Sequence, residues 1–343
     1  MKNLEIGLEK GRIEKINYLK GFSIFTIVLM HLIATVPLMP NIIVRLSTIG
    51  GGGVHVFFVC SGIGLYLSQK RNPIKFKDFI KRRFLKIYLP YIIIVLISSL
   101  FPWMYIGKYR FLALLSHIFL FKMFFPQFEE SFGYQFWFIS TIFQLYLLFI
   151  PLFRIKIKLT NKKFILITLI ISVIWWLFAA LTGQTDNRVI SSFCLQYLWE
   201  FSLGFVIGDY FLENEKIELN AVWLGLAAVI GISLTALLAK QSNYLKSFND
   251  IPSLIGYLSL ALLFSKSKII NNLFLKLSFF SYELYLIHIL VFITVFHFVH
   301  INSFIIQLLI AGISLVVAII LSYLYHSIIK QKIFGWICMI KRH

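Results

Sequence analysis

Two side chains in the first apolar segment have types and spacing that suit proton transfer. Lys20 stands at the entrance of the segment, and His31 follows after ten intervening residues. On a helix that rises about 1.5 Å per residue, they lie roughly 16 Å apart along the axis and on nearly the same face. An unperturbed imidazole has a pKa near ~6.5, so a buried one stays neutral and can take a proton from a hydroxyl. We predict that His31 is a general base and that Lys20 serves a separate, charged part of one site.

The segment that carries these residues is one of many long apolar runs. The 343 residues are 59% hydrophobic and only 14% charged, whereas soluble domains are about 45–50% apolar. Runs of about 20 apolar residues can cross a bilayer as helices. We predict an all-α polytopic membrane protein with about ten transmembrane helices, in a single membrane-embedded domain over 1–343 with no appended soluble domain. The predicted spans are 16–37, 50–69, 87–106, 134–153, 163–182, 193–212, 220–239, 249–266, 278–299 and 303–328.

The basic residues predict the orientation of these spans. With both termini on one side, the loops of that side hold 26 of the 33 Lys and Arg residues, and the opposite loops hold 7. Cytoplasmic loops of membrane proteins are enriched in Lys and Arg, so we place both termini in the cytoplasm and the protein in the inner or plasma membrane. Topology and anionic lipid headgroups then explain the net charge of +19, which excludes nucleic acid as the expected partner.

Two further patterns limit the architecture. The stretch from Phe111 to Phe125 is apolar but short and is interrupted by His117 and Lys122, so we expect an interfacial or re-entrant piece. If it crossed the membrane, the orientation of every later span would invert. The three cysteines have no paired spacing and predict neither a disulfide framework nor a metal site. They are Cys60, Cys194 and Cys338.

The second predicted span opens on four consecutive glycines, Gly50 to Gly53. Such a run disfavours helix, so we expect a loop in which the backbone approaches a ligand or another helix closely. His55 follows directly and is a candidate substrate-binding residue, as is Ser61. Ser61 also belongs, with Gly62 and Gly64, to a group of small residues that is typical of helix packing in membranes.

The loop between Lys70 and Lys86 is the most basic part of the chain. Arg83 and Lys86 are three residues apart, which makes them neighbours on one helical face. Such a pair can bind the phosphates of a cytoplasmic cofactor. The positive-inside pattern explains the same charges without any ligand, and the spacing alone favours that explanation.

Later spans carry further polar residues at depth. Glu200 is a buried carboxylate, which is costly in a membrane and is normally paired or functional; His31, a lysine or a water are its expected partners. Asp209 is expected to reach the headgroups, and Gly204 and Gly208 form a packing face.

In the ninth span, spacings of four and three place Ser281, Tyr285 and His288 on one face, either as a site or as ordinary hydrogen-bonding residues between helices. Glu283 is expected to meet the basic cytoplasmic rim.

Five motifs in sequence order resemble those of the acyltransferase-3 family of membrane acyltransferases, and the likeness extends over essentially the whole chain. The ten predicted spans also agree with that family. The motifs are Lys20-x10-His31, Gly53-Val-His-Val-Phe-Phe-Val-Cys-Ser-Gly62, Arg83-x-x-Lys86-Ile-Tyr-Leu-Pro90, Phe136-Trp-Phe-Ile-Ser-Thr with Pro151, and Ser281-Tyr-Glu-Leu-Tyr-Leu-Ile-His288.

The resemblance implies transfer of an acyl group, usually acetyl from acetyl-CoA, to a hydroxyl of a cell-surface or lipid-linked glycan. It implies that His31 is the essential histidine, with Lys20 as its basic partner. Arg83 and Lys86 match an Arg-x-x-Arg motif associated with the acyl-CoA donor, although lysine here lacks the bidentate fork of arginine. His55 stands where many members carry aspartate.

The expected mechanism has acyl-CoA held by Arg83, Lys86 and Lys20, with no tightly bound cofactor. His31 acts as the base, either directly or through an acyl-histidine, and Glu200 is a second catalytic candidate. The candidate substrate-binding residues are His55, Ser61, Tyr285 and His288. The candidate oxyanion donors are Ser61, Tyr285 and backbone amides near Gly53. A proton-coupled transporter or flippase is the alternative, because His31 and Glu200 at depth also suit a carrier. The acceptor, the acyl group and the oligomeric state stay open.

Overall fold

The computed structural model describes residues 2–213, 220–241 and 243–340, with side chains described over 13–213, 220–238 and 244–329. Within these ranges the chain is helical and contains no strand. Cys60 and Cys194 are buried free thiols, whereas the side chain of Cys338 lies outside the described residues.

Sixteen α-helices cover the described ranges, and short 3₁₀ turns connect several of them. In chain order they are α1 (Lys2–Thr35), α2 (Asn41–Ser47), α3 (Gly53–Arg71), α4 (Phe76–Arg83), α5 (Leu89–Ser98), α6 (Arg110–Ile118), α7 (Trp137–Lys156), α8 (Asn161–Leu181), α9 (Arg188–Ser191), α10 (Leu198–Leu212), α11 (Ala221–Gln241), α12 (Asn243–Lys246), α13 (Asp250–Phe264), α14 (Lys268–Ser278), α15 (Ser281–Phe298) and α16 (Phe304–Ile340).

Seven of the described stretches are long and apolar enough to cross a membrane, and a bent pair of helices brings the number to eight. This confirms a multi-pass helical membrane protein, whereas the count of about ten and the cytoplasmic placement of the termini stay predictions. The bent pair is α13 and α14, which meet at 116°. The seven stretches are Ile13–Thr35, Asn41–Arg71, Tyr134–Lys156, Asn161–Leu181, Ala221–Leu238, Ser281–Phe298 and Phe304–Ile329.

The difference in count comes from two predicted spans that form shorter helices. For the span 87–106, α5 covers only ten residues, and a π-helical turn over Phe84–Tyr88 joins it to α4. For the span 193–212, α10 covers fifteen residues after a 3₁₀ turn. The stretch 111–125 overlaps the nine-residue α6, which begins at Arg110 and is too short to span, as expected. His117 and Lys122 are fully buried there.

The chain divides into two compact units. The first unit comprises Met1–Ile27, Ile49–Ile74 and Thr141–Phe279, and the second comprises Val28–Thr48, Lys75–Ser140 and Phe280–His343. In the first unit, α10 packs against α3 and α8, and α11 packs against α13. In the second unit, α15 packs against α5 and α16.

Glycines set the close contact between α3 and α10 in the first unit. A Cβ atom on Gly62 would lie 2.1 Å from the Phe201 carbonyl oxygen, and one on Gly204 would lie 2.4 Å from the Val59 carbonyl oxygen. Backbone therefore meets backbone here, which confirms the predicted packing role of these small residues. The prediction is wrong for Gly64, two residues along α3, which is exposed and where an added Cβ atom would meet nothing within 4 Å.

The run of four glycines is helical, which corrects the expected loop. Gly50 to Gly52 belong to a 3₁₀ turn and Gly53 begins α3. The expected close approach is present, because a Cβ on Gly52 would lie 2.9 Å from the Tyr257 ring of α13. Because glycine has no side chain, the backbone can pack directly against this ring. This contact offsets the poor helix propensity of glycine.

We expect Gly204→Ala to lower the stability of the protein by about 1–3 kcal/mol, because the added methyl group overpacks a contact between two backbones. Gly64→Ala is the matched control and should leave stability unchanged or raise it slightly, since alanine favours helix and the site is open. Thermal unfolding of the two variants in the same detergent measures the difference. Equal melting temperatures would refute the role given to Gly204.

Candidate active site

One side of α15 carries three polar side chains that each bind a different segment of the second unit. They are spaced by three residues, so they follow one another along about 9 Å of the helix. The contacts are the Tyr282 hydroxyl donating to the Ile87 carbonyl at 2.6 Å, the Tyr285 hydroxyl donating to the Gln135 carbonyl at 2.5 Å, and His288 Nε2 lying 2.7 Å from His31 Nδ1. This helix therefore aligns the basic motif, the turn before α7 and the histidine of α1.

The two histidines form a buried pair. His31 is 8% exposed and His288 is fully buried, and their ring planes differ by only 4°. The edge of the Tyr134 ring packs at 5.0 Å from His31, measured between ring centroids. Neighbours on two sides thus fix the orientation of the His31 imidazole, as catalysis by a base requires.

The hydrogen bonds of His288 determine which nitrogen of His31 can act as a base. His288 Nδ1 lies 2.8 Å from the Leu284 carbonyl oxygen, which can only accept, so Nδ1 carries the proton. In the neutral ring, His288 Nε2 is then an acceptor, and His31 Nδ1 must donate to it. The lone pair of neutral His31 is therefore on Nε2, the atom that can take a proton from a substrate.

Tyr285 anchors a neighbouring residue that the sequence analysis did not single out. The Tyr285 hydroxyl already donates its proton to the backbone carbonyl of Gln135, so Tyr285 is a poor oxyanion donor. The side-chain amide of Gln135 is 2% exposed, and neither its nitrogen nor its oxygen has a hydrogen-bond partner among the described residues. Gly133, at φ 123°, makes room for it, since a Cβ there would lie 2.3 Å from Gln135 Oε1. A buried amide of this kind is ready to bind a polar ligand.

The basic motif lies on the π-helical turn between α4 and α5. Arg83 ends α4 and Lys86 lies inside the turn. The prediction of one shared face assumed an α-helix, whereas this segment is a π-helical turn with i→i+5 hydrogen bonds. Lys86 is exposed, but surrounding protein atoms and the charges of Arg83 and Arg82 lower the pKa of its amine. An anion bound here would relieve that repulsion.

The first unit holds a second polar cluster, built on His55 and Glu200. His55 Nδ1 lies 2.7 Å from Glu200 Oε1, so the partner of Glu200 is His55, which was not among its expected partners. Asp250 completes the cluster and accepts a hydrogen bond from Gln196 at 2.7 Å. Lys20, which is half-buried on α1, and Ser61, on α3 beside the packed Gly62, also belong to this unit.

Two other carboxylates differ from expectation because each is paired inside the protein. Asp209 accepts hydrogen bonds from Lys156 at 2.8 Å and from the Tyr66 hydroxyl at 2.5 Å, instead of reaching headgroups. Glu283 lies 3.1 Å from His326 of α16, instead of at a basic cytoplasmic rim. Internal pairing lowers the cost of burying these charges.

Four residues of these clusters were not predicted. Tyr282 had a usable signal, because it precedes Tyr285 by three residues on the face already singled out. Tyr134 and Gln135 precede the recognised Phe-Trp motif without a pattern of their own. Asp250 lies fifty residues from Glu200, and only the packing of α3, α10 and α13 in the first unit brings it to His55.

Two substitutions test the contrast between the satisfied and the unsatisfied groups of this turn. Tyr285→Phe should lower the stability by about 1–3 kcal/mol, because it leaves the buried Gln135 carbonyl without its donor. Gln135→Leu should leave the stability unchanged or raise it, since it removes polar atoms that have no partner in the protein. Thermal unfolding measures both, with Tyr323→Phe on the exposed side of α16 as control. A loss of stability in Gln135→Leu as large as in Tyr285→Phe would contradict this description.

Comparison with known proteins identifies the family. A family described as "Acyltransferase domain" (Acyl_transf_3) matches residues 13–326. No curated protein and no solved structure gives a significant match. The match covers nearly the whole chain and includes both histidines of the pair, the basic motif and the second cluster. The chain therefore belongs to the acyltransferase-3 family of membrane acyltransferases, the family that its five motifs resemble.

Proposed function

We propose that the protein moves an acyl group, most simply acetyl, from cytoplasmic acyl-CoA to a hydroxyl of a cell-surface or lipid-linked glycan. The observation that carries the proposal is the His31–His288 pair, in which hydrogen bonding directs the basic nitrogen of a buried imidazole. A hydroxyl acceptor needs such a base, because an alcohol attacks a thioester slowly while it keeps its proton. The family supports acyl transfer, and the identities of donor and acceptor are part of the proposal.

In the proposed reaction, His31 Nε2 takes the proton of the acceptor hydroxyl as its oxygen attacks the thioester carbon. The carbon–oxygen bond forms, the carbon–sulfur bond breaks, and the proton on His31 passes to the leaving CoA thiolate. While His31 is protonated, its Nδ1 proton can shift to His288 Nε2 over 2.7 Å. Direct transfer needs no covalent enzyme intermediate, and we prefer it to a path through acyl-histidine.

We propose that the side-chain amide of Gln135 stabilises the negative charge that develops on the thioester oxygen. Its Nε2 group can donate to an oxyanion, and its Oε1 can accept from a second hydroxyl of the acceptor. The support is the lack of any hydrogen-bond partner for this buried amide among the described residues. This replaces Tyr285, whose hydroxyl already donates to a backbone carbonyl.

Arg83 and Lys86 hold the phosphates of the donor in this proposal. The π turn that carries them is bonded to α15 through Tyr282, six residues before His288. The same helix that orients the base therefore also fixes the donor-binding turn. The predicted roles of Lys20, His55, Ser61 and Glu200, which lie in the first unit, stay predictions.

The direct test is CoA release and acyl labelling of glycan in membranes that contain the wild type or His31→Ala. His31→Ala should lose about 10²–10⁴-fold in rate, the usual contribution of a general base. His288→Gln should retain more activity than His288→Ala, because a glutamine oxygen can still accept from His31 Nδ1. Full activity in folded His31→Ala protein would overturn the mechanism, and wild type that neither binds nor turns over any acyl-CoA would overturn the function.

The lowered pKa of Lys86 predicts a pH dependence of donor binding. Only the protonated amine attracts phosphate. An ordinary lysine has a pKa of about 10.4. Because the pKa of Lys86 is lowered, its amine loses the positive charge at a lower pH than an ordinary lysine does. The KM for acyl-CoA should therefore rise on the alkaline side. Lys86→Arg, which keeps its charge, should flatten this rise.

The control for this measurement is Lys81→Arg on α4, an exposed lysine of the same basic segment. It should leave the pH profile of the KM as in the wild type. Superimposable profiles for wild type and Lys86→Arg would show that Lys86 does not contact the donor.

A further inference from the structure

Three helices of the first unit bring potential metal ligands together. His55 comes from the first turn of α3, Glu200 from the first turn of α10, and Asp250 from the start of α13. One ligand atom from each residue lies within 4.8 Å of the other two. The Glu200 side chain has no exposed surface, and that of His55 is 13% exposed. The cluster is thus compact and nearly dry.

The hydrogen bonds within the cluster leave part of it unsatisfied. Glu200 Oε1 accepts from His55, but the buried Oε2 atom has no hydrogen-bond partner among the described residues. Asp250 accepts from the Gln196 amide, which brings no charge. An unpartnered carboxylate oxygen in a buried site is costly, and a cation is the partner that recovers the most of that cost.

A comparison within the same unit shows what a fully compensated carboxylate looks like. Asp209 has one oxygen bonded to the Lys156 ammonium and the other to the Tyr66 hydroxyl. Both of its oxygens are used, and a full positive charge faces it. The cluster at Glu200 instead has two carboxylates and one imidazole, and the Oε2 atom of Glu200 has no hydrogen-bond partner among the described residues. Arg188 acts electrostatically on Tyr197 and is one source of positive charge within the protein near this cluster.

We propose that His55, Glu200 and Asp250 bind one divalent transition-metal ion, with Zn²⁺ as the preferred ion. One imidazole nitrogen and two carboxylate oxygens form a donor set that suits Zn²⁺ or Mn²⁺. Zn²⁺ holds such atoms at about 2.0–2.2 Å, so its ligands lie roughly 3.3 Å apart, which small side-chain rotations achieve here. The ion would use the spare Glu200 oxygen and join the ends of α3, α10 and α13.

The ion would stabilise the fold, because a site that forms only in the folded chain converts binding energy into folding energy. This inference does not depend on acyl transfer. Its test therefore uses metal content and stability, and it succeeds or fails whether or not the protein is active on any glycan.

The experiment is elemental analysis of protein purified in detergent through a tag without histidines, before and after incubation with Zn²⁺ or Mn²⁺. Wild type should hold about one ion per chain. His55→Ala and Asp250→Asn should each lose most of it, at least tenfold. Asp209→Asn is the matched control, a half-buried aspartate of the same unit outside the cluster, and it should hold as much metal as wild type.

A thermal measurement on wild-type protein keeps the test decisive if the variants fail to fold. EDTA should lower the melting temperature of wild type, and added Zn²⁺ or Mn²⁺ should restore it; restoration by Mn²⁺ alone would support the site and change its preferred ion. Less than a tenth of an equivalent of metal in wild type, with no response to EDTA or to either ion, would overturn the proposal. The cluster would then be neutralised by protons or by Arg188.

Discussion

The polar side of α15 is the constraint on which the second unit depends. Tyr282, Tyr285 and His288 each form a hydrogen bond to a different segment. In that order, the segments carry the proposed acyl-CoA-binding motif, Gln135 and the proposed base His31. Inside a membrane, where water does not compete, such bonds fix segments that are distant in sequence. Because the three side chains share one rigid helix, a change in its position would displace all parts of the proposed site together.

The His31–His288 and His55–Glu200 contacts differ in what they can do. His31 donates to a neutral imidazole, so its lone pair lies on Nε2, and its Nδ1 proton can be relayed to His288. His55 faces a carboxylate, with a second carboxylate close by, which is a charged arrangement suited to holding a cation. The same side chain thus serves as a base in one unit and as a candidate metal ligand in the other, according to its partner.

Much of the architecture could be predicted from composition and motif order, because apolar runs and the family motifs are local signals. The helical class, the membrane location, the short segment at 111–125 and the small-residue contact at Gly62 follow in this way. The pairings could not be predicted. Glu200 meets His55, Asp209 meets Lys156 and Glu283 meets His326 because helices far apart in sequence pack together. The π turn at Lys86 and the short helix α5 could not be predicted either, because regular α-helical spacing gives no sign of a π turn or of an early helix end.

In the proposed mechanism His288 acts through His31, and a double-mutant cycle on the acyl-transfer rate separates this role from an independent one. The variants are His31→Ala, His288→Ala and the two combined, compared at saturating acyl-CoA and corrected for folded protein. Residues that act as one unit are strongly non-additive. We expect the double variant to be no slower than His31→Ala alone, because without His31 there is no base for His288 to orient. Independent, multiplying losses would contradict it and would require a separate role for His288.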